Sequence, residues 1–265
     1  MARPRKQRDD TQPGRRPSRR ISLTWMLPNL LTIAAMLSGM TAIRFAFLEK
    51  WEAAVLLVAL AGVLDALDGR MARLLKASSD FGAQLDSLSD MVVFGVVPSI
   101  MLYLWILEDG GRLAWAGCMY YTACCALRLA RFNSELHEKP AWSANYFVGV
   151  PSPGAAFLAL VPMVASFRFN WDFLSSWPVV AGWLVIVATG AISTIPTFSG
   201  KNIHFPRAWA LPALGVFALL VAALVSRPWE LWVVIAALYV GLIPVSMLRF
   251  CLLYTSPSPR DRQKW

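Results

Sequence analysis

Four aspartates interrupt two apolar helical runs between residues 64 and 90 of this chain. Asp65 and Asp68 lie three residues apart in the first run, and Asp86 and Asp90 lie four apart in the second. Either spacing places both side chains of a pair on one face of an α-helix. Ionisable groups inside apolar helices are costly unless they pair, bind ions or line a wet cavity. The spacing therefore predicts one carboxylate cluster, formed where the two helices fold back against each other.

Such a cluster favours a divalent cation, because four neighbouring carboxylates would otherwise repel one another strongly. Hard oxygen ligands without nearby Cys or His suit Mg²⁺ or Mn²⁺ better than zinc. The alternative interpretation is that these acids are helix-end caps and solvated charges, which is ordinary for one or two aspartates but strained for four on matching faces.

Small residues and one arginine lie between the two aspartate pairs. Gly69, Ala72 and Gly82 allow a bulky ligand or a neighbouring backbone to approach closely. Arg73 offers a planar fork of donors that suits phosphate oxygens. Carboxylates, a metal and an arginine at a membrane boundary indicate phosphate chemistry, in which the metal contacts both the attacked phosphoryl group and its leaving phosphate.

The whole pattern resembles the signature of the CDP-alcohol phosphotransferases. It reads Asp65-x-x-Asp68-Gly69-x-x-Ala72-Arg73, then eight residues, then Gly82-x-x-x-Asp86-x-x-x-Asp90. The resemblance implies an all-α polytopic membrane protein with a six-helix core, usually a homodimer, and an interfacial polar cavity. It also implies that the phosphatidyl donor is CDP-diacylglycerol, and that an alcohol attacks its lipid-side phosphate and expels CMP.

The resemblance assigns roles to individual positions. Two divalent cations, Mg or Mn, are expected on the aspartates at Asp65, Asp68 and Asp86. Asp90 is expected to touch the metal site and to act as the general base. The positions expected to contact the CDP-lipid are Asn29, Thr32, Asp68, Gly69, Ala72, Arg73, Ser79 and Gly82. Asn29 and Thr32 belong to a Pro-Asn-x-x-Thr element of the first helix that begins at Pro28.

The acceptor alcohol is predicted from other segments. Residues 27–32, 126–133 and 146–156 resemble the bacterial branch of this family that uses L-serine. Arg128 and Arg131, three apart on one helical face, are candidates to bind the serine carboxylate. A plain basic helix flank is the alternative for these arginines, and a glycerophosphate or inositol acceptor is the alternative for the substrate.

Composition places the chain in a bilayer. It is 57% hydrophobic and 15% charged, against roughly 25% charged residues in soluble domains. Apolar runs long enough to cross a membrane predict eight helices, at about 27–48, 51–72, 83–107, 112–132, 153–168, 176–196, 208–226 and 230–250. A cation transporter would also use intramembrane aspartates, but the runs show no repeated broken helices.

Basic residues follow the second, fourth and sixth runs, so both termini and the aspartate site are expected on the cytoplasmic side of the inner membrane. The formal charge of +9 is concentrated at the start, where the first twenty residues hold eight Lys or Arg. A nucleic-acid partner is therefore not expected. We predict a basic disordered arm over 1–24 and a catalytic transmembrane domain over 25–250. Residues 251–261 match a translated sequencing adapter, so residues 251–265 are expected to be non-native. An ordinary tail rich in Ser and Pro is the alternative.

Overall fold

The computed structural model describes residues 23–75, 79–135, 146–169, 172–193, 196–198 and 210–255. Most of the predicted basic arm, residues 1–22, lies outside this set. The predicted non-native segment is described as far as residue 255, where it continues the last helix. Its remaining residues, 256–265, also lie outside the described part of the chain.

The described chain is almost entirely helical, as predicted. Its α-helices are α1 (Leu23–Phe47), α2 (Trp51–Leu74), α3 (Asp80–Asp90), α4 (Val97–Trp105), α5 (Gly111–Glu135), α6 (Ser152–Ala159), α7 (Val161–Ser166), α8 (Trp177–Ile192), α9 (Ala210–Ser226) and α10 (Pro228–Thr255). A π-helical segment, Met91–Val96, joins α3 to α4, and 3-10 turns occupy Leu107–Gly110 and Asp172–Ser175. Each of the eight predicted runs corresponds to one of these segments, with α3 to α4 forming the third run and α6 with α7 forming the fifth.

Two stretches of the described chain are long and apolar enough to cross a membrane by length and composition, namely Met26–Phe47 and Asp80–Trp105. Four further apolar helices are shorter, with 10–17 residues each. The eightfold crossing therefore stays a prediction. One element was not predicted: β1 (Tyr146–Val148) pairs antiparallel with β2 (Pro196–Phe198).

Small side chains hold the first helices close together, which is how helices associate when lipid replaces water. Gly39 of α1 faces Val93 so closely that a Cβ there would lie 3.0 Å from Val93 Cγ2. Ser38 donates a hydrogen bond of 2.8 Å to the carbonyl of Leu57 in α2. These contacts hold α1 against α2 and against the π-helical segment that follows α3.

The π-helical segment begins directly after Asp90 and is supported from α5. The Tyr121 hydroxyl, fully buried, donates a 2.8 Å hydrogen bond to the carbonyl of Phe94. Thr122 donates to the carbonyl of Gly95 at 3.2 Å. Because a π-helix shifts the backbone hydrogen-bond pattern, these side chains stabilise the carbonyls that the shift leaves available. The segment directly after Asp90 is therefore held in place by α5.

Candidate active site

The aspartates of α2 and α3 converge as their spacing predicts. Carboxylate oxygens of Asp65, Asp68 and Asp86 all lie within 4.8 Å of one another. Asp90 lies next to Asp65 and within electrostatic reach of Asp86. Three of these carboxylates are half-buried and Asp68 is only 4% exposed. This density of negative charge favours the binding of a cation.

Helix α1 holds Asp68 in place. The Thr32 hydroxyl lies 2.6 Å from Asp68 Oδ2 and 3.1 Å from the carbonyl oxygen of Pro28, one turn earlier. Ser89 of α3 donates in turn to the carbonyl of Thr32 at 3.3 Å. Three helices are thereby joined at the aspartates, and Thr32 acts as the link between them.

A polar pocket of about 160 Å³ opens beside this junction. The predicted CDP-lipid positions that line it are Asn29, Thr32, Asp68, Gly69, Ala72, Ser79 and Gly82, together with Asp86. Arg73 is not among the lining residues, and its side chain is exposed in the last turn of α2. The structure thus brings the predicted positions together with the exception of Arg73.

The glycines in this pocket have different roles. A Cβ on Gly82 would lie 2.9 Å from Asn29 Oδ1, so a larger residue here would displace the Asn29 side chain. Nothing lies within 4 Å of the Cβ position of Gly69, which leaves open space over α2. Ser79 caps α3 by accepting a 3.0 Å hydrogen bond from the Gly82 amide. Helix N-termini of this kind favour anionic groups such as phosphate.

Arg128 of α5 lies within electrostatic reach of Asp90. It is only 9% exposed, interacts electrostatically with Asp90, and donates a hydrogen bond from Nη1 to the Ser152 hydroxyl. Its Nε finds no hydrogen-bond partner in the described part of the chain. A buried guanidinium with an unused donor is costly, so the site around Arg128 suits an anionic ligand.

Arg131 is placed differently from Arg128, although both were predicted to bind the acceptor. Its Nη1 donates to the carbonyl of Ile192 at 2.9 Å and its Nη2 to that of Ser193 at 3.2 Å. These carbonyls end α8, where helices leave acceptors unpaired. Gly149, at φ +78°, packs against the same end, where a Cβ would lie 2.7 Å from the Ser193 oxygen. Arg131 therefore ties α5 to α8.

Two polar residues near the site were not singled out from the sequence. Ser152, 1% exposed at the start of α6, accepts the Arg128 hydrogen bond. Asn133 donates a 3.0 Å hydrogen bond to Ser87, which follows Asp86. Both lie in segments that carried the resemblance, at 146–156 and 126–133, but a lone Ser or Asn there gives no separate signal.

Comparison with known proteins agrees with this geometry. Residues 25–193 match the family model described as CDP-alcohol phosphatidyltransferase. The chain belongs to the CDP-alcohol phosphatidyltransferase family. Relatives named CDP-diacylglycerol–serine O-phosphatidyltransferase include a Mycobacterium leprae protein, 36% identical over 87% of this chain and 77% of the relative. A Helicobacter pylori protein of the same name is 30% identical over 83% of this chain and 90% of the relative.

The aspartate cluster of this CDP-alcohol phosphatidyltransferase also fits a divalent cation. Oxygens that share one Mg²⁺ at roughly 2.0–2.1 Å lie at most about 4.2 Å apart. The observed spread of 4.8 Å needs only a small side-chain rotation to reach that value. Oxygen-only donors fit a hard cation, and no Cys or His belongs to the group found among the described residues.

Proposed function

We propose that this protein transfers the phosphatidyl group of CDP-diacylglycerol to the hydroxyl of L-serine, giving phosphatidylserine and CMP. The observation that carries the proposal is the position of Arg128, buried beside Asp90 with an unused donor. An acceptor that carries both a hydroxyl and a carboxylate matches these two neighbours. The names of the relatives support the same acceptor.

The donor lipid is held at its nucleotide end by the polar pocket. The open space over Gly69 receives the ligand, and the capped N-terminus of α3 at Ser79 faces phosphate oxygens with backbone amides. Asn29 supplies amide hydrogen-bonding groups from α1. Arg73 is a further phosphate contact in this proposal, although its exposed side chain must reorient to reach the lipid.

Transfer requires a nucleophile and a base on the same side of the phosphate. Asp90 accepts the proton of the serine hydroxyl as its oxygen bonds to the lipid-side phosphorus. The bond from that phosphorus to the bridging oxygen breaks, and CMP leaves with the electron pair. General base catalysis of this kind contributes typically about 10²–10⁴-fold.

Asp65, Asp68 and Asp86 would hold the divalent cation, with Asp90 at its edge. When bound, the cation neutralises charge on the phosphate oxygens and on the departing CMP. Thr32 keeps Asp68 oriented toward the cluster through their 2.6 Å contact. We propose that two divalent cations bind here, as the resemblance implies, and that they are Mg or Mn.

Arg128 orients serine in this proposal. A carboxylate paired with a buried guanidinium is fixed by charge-assisted hydrogen bonds, and the serine hydroxyl then faces Asp90. Ser152 holds the guanidinium from the other side. Arg131 contributes indirectly, because it anchors α5 to the end of α8.

The protein is embedded in a membrane, as its family and its apolar helices indicate. A homodimer in the inner membrane, with both termini and the site on the cytoplasmic side, belongs to the same proposal. It is supported by the family resemblance and by the distribution of Lys and Arg in the sequence.

The deciding experiment measures CMP release by the purified full chain with CDP-diacylglycerol and Mg²⁺ or Mn²⁺. Serine, glycerol 3-phosphate and inositol are supplied separately, and the lipid product is identified by mass spectrometry. We expect CMP release that depends on serine and yields phosphatidylserine. Release with glycerol 3-phosphate or inositol alone would refute the serine assignment, and no release with any acceptor would refute phosphatidyl transfer.

A further inference from the structure

A tyrosine near the middle of α10 lies close to the reaction centre, although α10 lies beyond the residues that match the family model, 25–193. The Tyr239 hydroxyl is buried, and the residue packs against the main hydrophobic core of the bundle. Tyr239 is also within electrostatic reach of the Arg128 guanidinium. The aspartate signature gives no reason to expect a contribution to the site from this helix.

Contacts near the start of α10 show how this helix lies against α6 and α7. The rings of Phe157 and Trp232 stack with centroids 4.4 Å apart, and Trp232 Nε1 donates a 3.1 Å hydrogen bond to the Phe157 carbonyl. Glu230, two residues before Trp232, pairs with Arg168 beyond α7 at 2.7 Å. Residue numbers therefore fall along α10 as they rise from α6 to the end of α7, so the two segments are antiparallel.

This direction brings Tyr239 close to the level of Ser152 at the start of α6. Ser152 precedes Phe157 by five residues, and Tyr239 follows Trp232 by seven. At 1.5 Å per residue these are displacements of about 7.5 Å and about 10.5 Å in the same direction. A helical side chain leans toward the N-terminus of its own helix, so the Tyr239 ring reaches back over part of the difference. Ser152 is the residue that accepts the Arg128 hydrogen bond.

The face of α10 that carries Tyr239 is the one that packs on the bundle. Trp232, Ala236 and Tyr239 are spaced by four and then three residues, which places them on one side of the helix. Ala236 is 3% exposed, whereas Leu238 and Val240 on either side of Tyr239 are exposed. Tyr239 therefore faces the interior of the bundle.

We propose that Tyr239 donates a hydrogen bond to the carboxylate of the acceptor serine, beside the Arg128 guanidinium, so that α10 completes the acceptor pocket. This inference rests on the proposed function. A carboxylate has two oxygens and accepts several hydrogen bonds, so it can bind a second donor next to Arg128. The burial of the Tyr239 hydroxyl makes such a bond stronger than it would be in water.

The charges around Arg128 suit a carboxylate better than a phosphate group. Arg128 is within electrostatic reach of Asp90 and Arg131, and these three groups together carry one net positive charge when Asp90 is ionised. A tyrosine adds a donor without adding charge. A phosphate ester carries about 1.5–2 negative charges at pH 7, and the excess would be buried without a partner, which is costly. A neutral donor beside Arg128 therefore favours a monoanionic acceptor over glycerol 3-phosphate.

The test removes the hydroxyl alone. Tyr239→Phe keeps the ring and its packing. The matched control is Tyr120→Phe, because Tyr120 of α5 is exposed and its hydroxyl lies 3.3 Å from Thr189 Oγ1. The KM for serine and kcat are measured at saturating CDP-diacylglycerol, the KM for the lipid at saturating serine, and Tm on the same preparations.

We expect Tyr239→Phe to raise the KM for serine by about 10- to 150-fold, the range for the loss of one hydrogen bond to a charged group. The KM for CDP-diacylglycerol and the Tm should stay close to wild type, and Tyr120→Phe should match wild type throughout. In a double-mutant cycle with Arg128→Met, the two effects on kcat/KM for serine should not simply multiply, because both side chains hold one carboxylate.

A wild-type KM for serine in Tyr239→Phe would overturn the inference. Equal weakening toward both substrates together with a lower Tm would also overturn it, and would make Tyr239 a packing residue of α10. Fully multiplicative effects in the cycle would count against a shared carboxylate. Failure of the proposed function would appear in the wild type instead, as CMP release that does not depend on serine.

Discussion

The two arginines of α5 give the sharpest test of the site, because the structure places them in different environments. Arg128→Met removes a guanidinium that is 9% exposed and has an unused Nε donor beside Asp90. Methionine keeps much of the side-chain length and apolar volume. The change therefore removes the proposed contact to the serine carboxylate with little loss of packing.

The magnitude follows from the loss of a hydrogen bond between charged groups. Such a bond contributes about 1.5–3 kcal/mol, which corresponds to roughly a 10–150-fold rise in the KM for serine. The KM for CDP-diacylglycerol should change far less, because the polar pocket and the aspartates hold that substrate. Arg128→Lys keeps the charge but not the planar fork, and should lie between Met and wild type.

Arg131→Met is the matched comparison, three residues away on the same helix. It removes two hydrogen bonds to the carbonyls of Ile192 and Ser193. Because the junction between α5 and α8 is loosened, we expect the free energy of unfolding to fall by about 1–3 kcal/mol for two such bonds. The loss should appear as a lower Tm. The KM for serine in the folded fraction should stay close to wild type.

The assay titrates serine at saturating CDP-diacylglycerol, and the lipid at saturating serine, with Tm measured on the same preparations. A raised serine KM in Arg131→Met together with a wild-type value in Arg128→Met would refute the assignment. Equal weakening toward both substrates in Arg128→Met would make this residue a phosphate contact instead.

Four further outcomes are expected. Asp90→Asn should lower kcat by at least about 100-fold while CDP-lipid binding persists, and Asp80→Asn, an exposed acid of the same helix, should stay active in the same CMP assay. Asp86→Asn should raise the metal concentration needed for half-maximal activity, measured by titration with Mg²⁺ or Mn²⁺. Tyr121→Phe removes a buried 2.8 Å hydrogen bond, so the free energy of unfolding should fall by about 0.5–1.5 kcal/mol, measured as a lower Tm. Deletion of residues 251–265 should leave kcat and Tm nearly unchanged.

The helices could be predicted from the sequence because each apolar run is long and continuous. The boundaries of α2 and α5 fall within about three residues of the predicted runs. The fifth run was predicted as a single helix over 153–168, whereas the structure ends α6 at Ala159 and begins α7 at Val161. Pro162 explains the break, since it lacks the amide that would continue the helical hydrogen bonds.

The carboxylate cluster was also predictable, because spacing on a helix fixes which side chains share a face. The hydrogen bonds of Arg131 to the end of α8 could not be predicted in this way. They depend on where α8 ends in space, more than sixty residues later in the sequence. The pairing of β1 with β2 has the same origin: two three-residue strands about fifty residues apart carry no local signal. Contacts of this kind are set by tertiary packing.

The least predictable feature is the π-helical segment that follows the base. In a regular α-helix from Asp86 onward, every later side chain would keep the 3.6-residue period. The π-helical segment after Asp90 alters that period, so α4 presents a different face to α5 than α3 does. Asp90, the last residue of α3, lies next to Asp65 of α2, whereas Phe94 within the π-helical segment is buried among apolar side chains. The shift is stable because Tyr121 and Thr122 bond to its carbonyls, and those partners come from a helix whose position the sequence of α3 does not encode.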